Sequence, residues 1–117
     1  MRSPTQRSLE LLRSQGYVPY VVESYNAFAR IRRDLFGFID IVALHPDRQG
    51  ILGIQTTTGT NLAARITKAE GLKEYGLWIA CGNQVEFHGW RKILINGKKR
   101  WSPLVRRVDL DELMGGK

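Results

Sequence analysis

The stretch from Asp34 to Asn61 restricts the fold more than any other part of this chain. Two apolar runs, Phe38 to Leu44 and Ile51 to Ile54, are each of strand length. Between them lies His45-Pro46-Asp47-Arg48-Gln49-Gly50, a segment rich in turn formers, so the stretch reads as a β-hairpin. Its first arm carries an acid, Asp40, where a buried strand favours an aliphatic side chain, and its second arm runs into Gln55 and three threonines, Thr56 to Thr58. A charge inside an apolar strand is costly unless something pairs with it, and a metal ion is one such partner. The hairpin is therefore the place to look for function.

The 117 residues suffice for one domain with one core. Hydrophobic content of 43% and charged content of 25% are ordinary for a soluble globular chain. No apolar stretch reaches the roughly 18 residues that a membrane span needs. The polar, helix-like N-terminus does not read as a signal peptide, so a cytoplasmic location is expected. The single cysteine, Cys81, lies in the apolar run Leu77-Trp78-Ile79-Ala80-Cys81 and reads as a small core residue of a strand. One cysteine excludes an internal disulfide and a cysteine-rich zinc site.

The net charge is +7, and its distribution is uneven. Residues 1–33 carry +4 and residues 84–108 carry +6, whereas residues 34–64 carry −2. An acidic centre between basic flanks suits an enzyme that grips a polyanion and holds a cation at its middle.

Ser3-Pro4 predicts a helix N-terminus, Leu9 and Leu12 give its apolar stripe, and Gly16 ends it, so a helix is expected over about 4–15. Tyr17 to Glu23 reads as a strand, with Pro19 favouring an edge position or a strand start. Ser24 to Arg33 shows no period and reads as an irregular connection holding Arg30, Arg32 and Arg33. Strands follow over Phe38–Leu44 and Ile51–Thr57. Leu62, Ile66, Ala69 and Leu72 predict a helix over 62–75 ended by Gly76, and Leu77–Cys81 then reads as a strand parallel to 51–57. Val85 to Trp90 alternates as a strand. Asn96-Gly97 is a two-residue hairpin signal, with Pro103 expected to limit the pairing of the returning arm and Leu104–Val108 offering a last strand. A short helix over Asp109–Leu113 and a fraying tail over 113–117 complete the chain. The order α-β-β-β-α-β-β(-β)-α is that of an α/β fold, a single-domain mixed sheet flanked by helices.

That order, with Asp40 in one strand and Gln55-Thr56-Thr57 closing the next just before a helix, resembles the restriction-endonuclease-like PD-(D/E)xK nuclease superfamily. It is most similar to the small Holliday-junction-resolvase and VRR-nuclease-type members. The resemblance covers about residues 4–82. In that family the strand aspartate binds metal, and Asp40 stands in its place, with Ile39 where proline is usual. The family's Glu-x-Lys becomes Gln55-Thr56-Thr57. The resemblance implies that Gln55 offers a neutral oxygen ligand, that Thr57 stands where the water-activating lysine would be, and that Lys68 or Arg65 on the following helix takes over that basic role. It also implies an extra acidic ligand on the first helix, where Glu10 lies.

The implied activity is metal-dependent hydrolysis of DNA phosphodiester bonds by a single nuclease-like domain, residues 1–117, directed by structure rather than by base sequence. A catalytically inactive nucleic-acid-binding protein on the same fold is the alternative. Magnesium or manganese is the implied cofactor, held by Asp40, Gln55 and the Thr56 carbonyl, with Asp34, Glu23 or Glu10 completing the set. DNA is the expected partner, a membrane is not, and a homodimer is implied by the family. Arg30, Arg32, Arg33, Arg65, Lys98, Lys99 and Arg100 are the candidates for phosphate contacts. Trp90 and Trp101 flank the basic hairpin and either stack on bases or pack the strand pair. His45 and His88 read as surface or strand-end residues.

Overall fold

The structure is a computed structural model and describes residues 2–114. It opens with helix α1 (Pro4–Ser14), whose N-terminus is closed by a capping box between Ser3 and Gln6. Strand β1 (Val18–Val21) follows, then a separate two-stranded hairpin of β2 (Ser24–Asn26) and β3 (Ile31–Arg33). Strands β4 (Ile41–Leu44) and β5 (Leu52–Thr58) form the hairpin expected from the sequence. A 3-10 turn (Gly59–Asn61) leads into helices α2 (Leu62–Glu70) and α3 (Lys73–Ala80). Strands β6 (Gln84–Ile95) and β7 (Lys98–Val108) and helix α4 (Leu110–Leu113) end the described chain.

One mixed sheet of five strands, in the order β1-β4-β5-β6-β7, organises the molecule. All neighbours are antiparallel except β5 and β6, which run parallel from Leu52 opposite Gln84 to Thr58 opposite Trp90. Alternation along the strands divides the core in two. Ile41, Ala43, Leu52 and Ile54 face α1 and close on Leu12. Phe38, Ile39, Val85 and Phe87 face the other way, onto Ala69 of α2 and Tyr75 and Ile79 of α3. The α/β class is thus observed as a mixed sheet with helices on both faces. Among the described residues no helix is long and apolar enough to cross a membrane.

Several expectations are corrected. Leu77–Cys81 is not a strand: residues 62–80 form two helices broken at Gly71-Leu72, and Gly76 lies inside the second. A short apolar run cannot separate strand from helix by itself, and the i, i+4 spacing of buried Tyr75 and Ile79, with Leu77 60% exposed, is the helical answer. Cys81 accordingly caps α3 and is exposed. The parallel partner of β5 is instead β6. Ser24–Arg33, read as irregular, is an antiparallel hairpin whose two three-residue strands are too short to show a period. Pro103 does not limit pairing: β7 runs through it opposite Trp90, which an edge strand tolerates because the missing donor can face outward. Finally, β4 starts at Ile41, so Phe38, Ile39 and Asp40 form the approach to the strand rather than its first residues. Asn96-Gly97 turns the β6–β7 hairpin as expected, both residues having positive φ. Leu113, placed in the fraying tail, still belongs to α4, while residues 115–117 lie outside the described residues.

Candidate active site

The backbone around Asp40 gathers three chain segments. Its N–H donates to the carbonyl of Ile54 on β5, and its own carbonyl accepts from the N–H groups of Val22 and Glu23, just past β1. Glu23 is thereby fixed beside Asp40. The chain then leaves through the β2–β3 hairpin and returns at Asp34, where the Leu35 N–H bonds the Ile39 carbonyl and closes a tight turn. Side chains complete the assembly. The Thr56 N–H donates to Asp40 Oδ2 at 2.9 Å, and Gln55 Nε2 donates to Asp34 Oδ2 at 3.3 Å. Carboxylate oxygens of Glu23, Asp34 and Asp40 come within 4.8 Å of one another.

The cluster forms part of the wall of a cavity of about 350 Å³. Arg32, Arg65, Thr57 and Thr58 line the same cavity, as do the first residues of α1. Asp40 is only 5% exposed. Burial, the hydrogen bond shared with Asp34, and the charges of Asp34 and Glu23 push its carboxyl up to about 8, against the opposing pull of the Thr56 N–H. Arg32 Nη1 stands 4.0 Å from Glu23 Oε2 and offsets part of this crowding. Three hard oxygen donors this close repel one another unless a proton or a cation lies among them. The donor set therefore fits magnesium or manganese rather than a soft metal.

Glu23, Asp34 and Asp40 thus meet as a potential ligand set. Gln55 is 3% exposed and turns its amide nitrogen to Asp34, which makes it a donor to the acids. Thr57 is buried on the cavity wall, and Arg65 reaches the same cavity from α2. Lys68 is exposed and lies outside the cavity lining, because it sits one turn further along α2. Glu10 is also elsewhere: it pairs with Arg2 at 2.8 Å on the exposed side of α1. Arg30 and Arg33 lie on the β2–β3 hairpin, both exposed. Lys98, Lys99 and Arg100 lie on the projecting arm of β6 and β7, opposite Ile95, Leu94 and Ile93 and beyond the last pairing with β5. Trp90 is buried and packs, while Trp101 is covered by the Arg7 guanidinium at 4.2 Å.

A buried polar network escaped sequence reasoning. Ser8 on α1 contacts Thr56 Oγ1 and His88 Nδ1, each at 2.8 Å, and accepts from Trp90 Nε1 at 2.9 Å. His88 Nε2 bonds Glu86 at 2.9 Å, and Arg107 donates to the other Glu86 oxygen at 2.6 Å. Burial would raise the Glu86 carboxyl, but the bonds from His88 and Arg107 outweigh it and hold the group below its usual value. His88, read as a surface or strand-end residue, is wholly buried. The signal lay in the spacing of Glu86, His88 and Trp90, which puts all three on one face of β6. The grouping of serine, histidine and glutamate is not a nucleophilic site, because Ser8 is 0% exposed and no substrate reaches it. The network instead pins α1 to β5 and β6 and holds Thr56 against Asp40. No family model, curated protein or solved structure matches this chain.

Proposed function

We propose that this chain is a divalent-cation-dependent endonuclease acting on DNA, built on a restriction-endonuclease-like version of the mixed sheet. The observation that carries the reading is the convergence of Glu23, Asp34 and Asp40 within 4.8 Å beside a cavity that Arg32 and Arg65 also line. Acids alone suit a cation, and arginines alone suit an anion. Both together suit a cation held against a phosphate.

Glu23, Asp34 and Asp40 would hold the cation, with the Thr56 N–H fixing Asp40 and the Gln55 amide fixing Asp34. A bound cation supplies a more acidic attacking water and stabilises the leaving oxygen. Arg32 and Arg65 bind phosphate oxygens and offset the charge that builds on phosphorus. Arg65 replaces the charge of the family's lysine but not its proton chemistry, because a guanidinium stays protonated. Thr57 offers only a hydroxyl. The basic arm around Lys98, Lys99 and Arg100 adds contacts to the backbone away from the cut.

The test is cleavage of supercoiled plasmid, single-stranded DNA and a four-way junction in magnesium, manganese or chelator. Metal-dependent cutting by the wild type, lost by a factor of 100 or more (roughly) in Asp40→Ala, is expected. Cleavage that survives Asp40→Ala contradicts the reading. The presence of Gln55 and Thr57 at the positions of the family's acid and lysine favours one second reading, a DNA-binding protein without catalysis. Salt-sensitive binding with no cutting in any metal would establish it.

A further inference from the structure

The β2–β3 hairpin joins the acid cluster directly: Glu23 immediately precedes β2 and Asp34 immediately follows β3. The hairpin therefore projects from between two of the three acids. Its strands pair only with each other. At its tip the Asn26 carboxamide oxygen accepts from the N–H groups of Phe28 (3.0 Å) and Ala29 (3.2 Å), which builds a defined turn. Phe28 is presented there with a relative exposure of 103%, so its ring packs on nothing in the chain. Tyr25 is 63% exposed on the same hairpin. The segment carries Arg30, Arg32 and Arg33 and no acid.

A large aromatic side chain held wholly in water gains nothing for the fold, and here it is one of two exposed aromatics, with Tyr25, on a short hairpin that also carries the arginines. Three arginines, of which only Arg32 stands near an acid, at 4.0 Å from Glu23, fit a polyanion rather than a typical protein surface. Phosphates beside an aromatic face are what an unpaired stretch of DNA offers, since stacked and paired bases hide their faces. We propose that the β2–β3 hairpin is a substrate-selecting finger on which Phe28 stacks against an unpaired DNA base, while Arg30 and Arg33 hold the flanking phosphates. The inference rests on the DNA reading above and names its substrate class: strands with single-stranded or branched character. A hairpin with about five residues in each arm reaches on the order of 15 Å. The stack thus lies away from the reacting phosphate and acts on binding, not on the chemical step.

The experiment measures fluorescence anisotropy of a labelled 20-nucleotide single strand, its 20-base-pair duplex and a four-way junction, all in EDTA so that nothing is cut. Wild type, Phe28→Ala and Phe28→Trp are compared. Phe28→Ala is expected to weaken single-strand and junction binding on the order of 10-fold, the loss of one base–aromatic stack, with duplex binding unchanged. Phe28→Trp is expected to restore it. A 2-aminopurine in the strand should be quenched by wild type and not by Phe28→Ala. Equal loss on duplex and single strand, or no loss at all, overturns the inference, as does tighter binding to phosphatidylserine vesicles than to any DNA. Phe28-dependent binding without cleavage in any metal would support the finger while removing the hydrolytic reading. Metal-dependent cleavage of the single strand or junction whose KM is the same in Phe28→Ala as in the wild type would do the reverse.

Discussion

Asp40 is held where its charged form is costly unless a cation pairs with it. Its carboxyl stands near 8, so between its usual value of 3.8 and about 8 the folded chain carries a proton there that the unfolded chain has lost. Stability without a cation must then fall as pH rises through that window, by up to about 1.4 kcal/mol per pH unit, and level off above it. Urea midpoints in EDTA at several pH values measure this, and Asp40→Asn should flatten the slope and be the more stable protein at pH 8.5. Glu86 works in the opposite sense. Its lowered carboxyl contributes stability above its ordinary 4.5 that is lost only as pH falls below that, so above 4.5 the slope belongs to Asp40 and not to Glu86. Removing the partner of Glu86 is a different matter. His88→Ala opens a cavity in the buried network and takes one bond each from Glu86, which keeps Arg107, and from Ser8, which keeps Thr56 and Trp90; about 3 kcal/mol of destabilisation is expected by denaturant titration. These residues differ in how far the sequence showed them. Asp40, Asp34 and Glu23 stood out because acids in or beside apolar strands demand a partner. Lys68 was misplaced because it lies one turn beyond Arg65 along α2, and Glu10 because it lies on the exposed side of α1; composition reveals neither how far along a helix the cavity reaches nor the helix's rotational phase.

At the level of elements, strands with strong turns between them were legible and short or ambiguous ones were not. The β4–β5 hairpin and the Asn96-Gly97 turn follow from turn chemistry and alternation. The β2–β3 hairpin has three residues per strand, below any period, and the α3 run is apolar enough to pass for a buried strand. Two glycines test the turn account. Gly97 has φ +78 and open space around a built Cβ, so Gly97→Ala should cost only the left-handed backbone, about 1 kcal/mol. Gly50 has φ +81, and a Cβ there would stand 2.1 Å from the Gly82 carbonyl oxygen. That atom belongs to the backbone that delivers β6 beside β5, so it cannot yield cheaply. Gly50→Ala should cost about 3 kcal/mol or more, measured against Gly97→Ala by urea denaturation.

At the scale of the whole molecule, the sheet places an acidic centre among basic surfaces. Arg30, Arg32 and Arg33 lie on the finger, and Lys98, Lys99 and Arg100 lie on the β6–β7 arm. Binding to DNA through both should weaken steeply between 50 and 200 mM salt, and Lys98→Ala/Lys99→Ala should lower the slope of log K against log salt by roughly 2. That slope reports the flanks, but the centre decides the function, because the same basic surface would serve a protein that only binds. The central claim is that Glu23, Asp34 and Asp40 form one cation site. Calorimetric titration of manganese into the wild type, Asp40→Asn and Lys68→Ala tests it without DNA. Saturable binding of about one ion is expected in the wild type and in Lys68→Ala, at pH 7 with release of a proton, and none in Asp40→Asn. Unchanged manganese binding in Asp40→Asn would contradict the account.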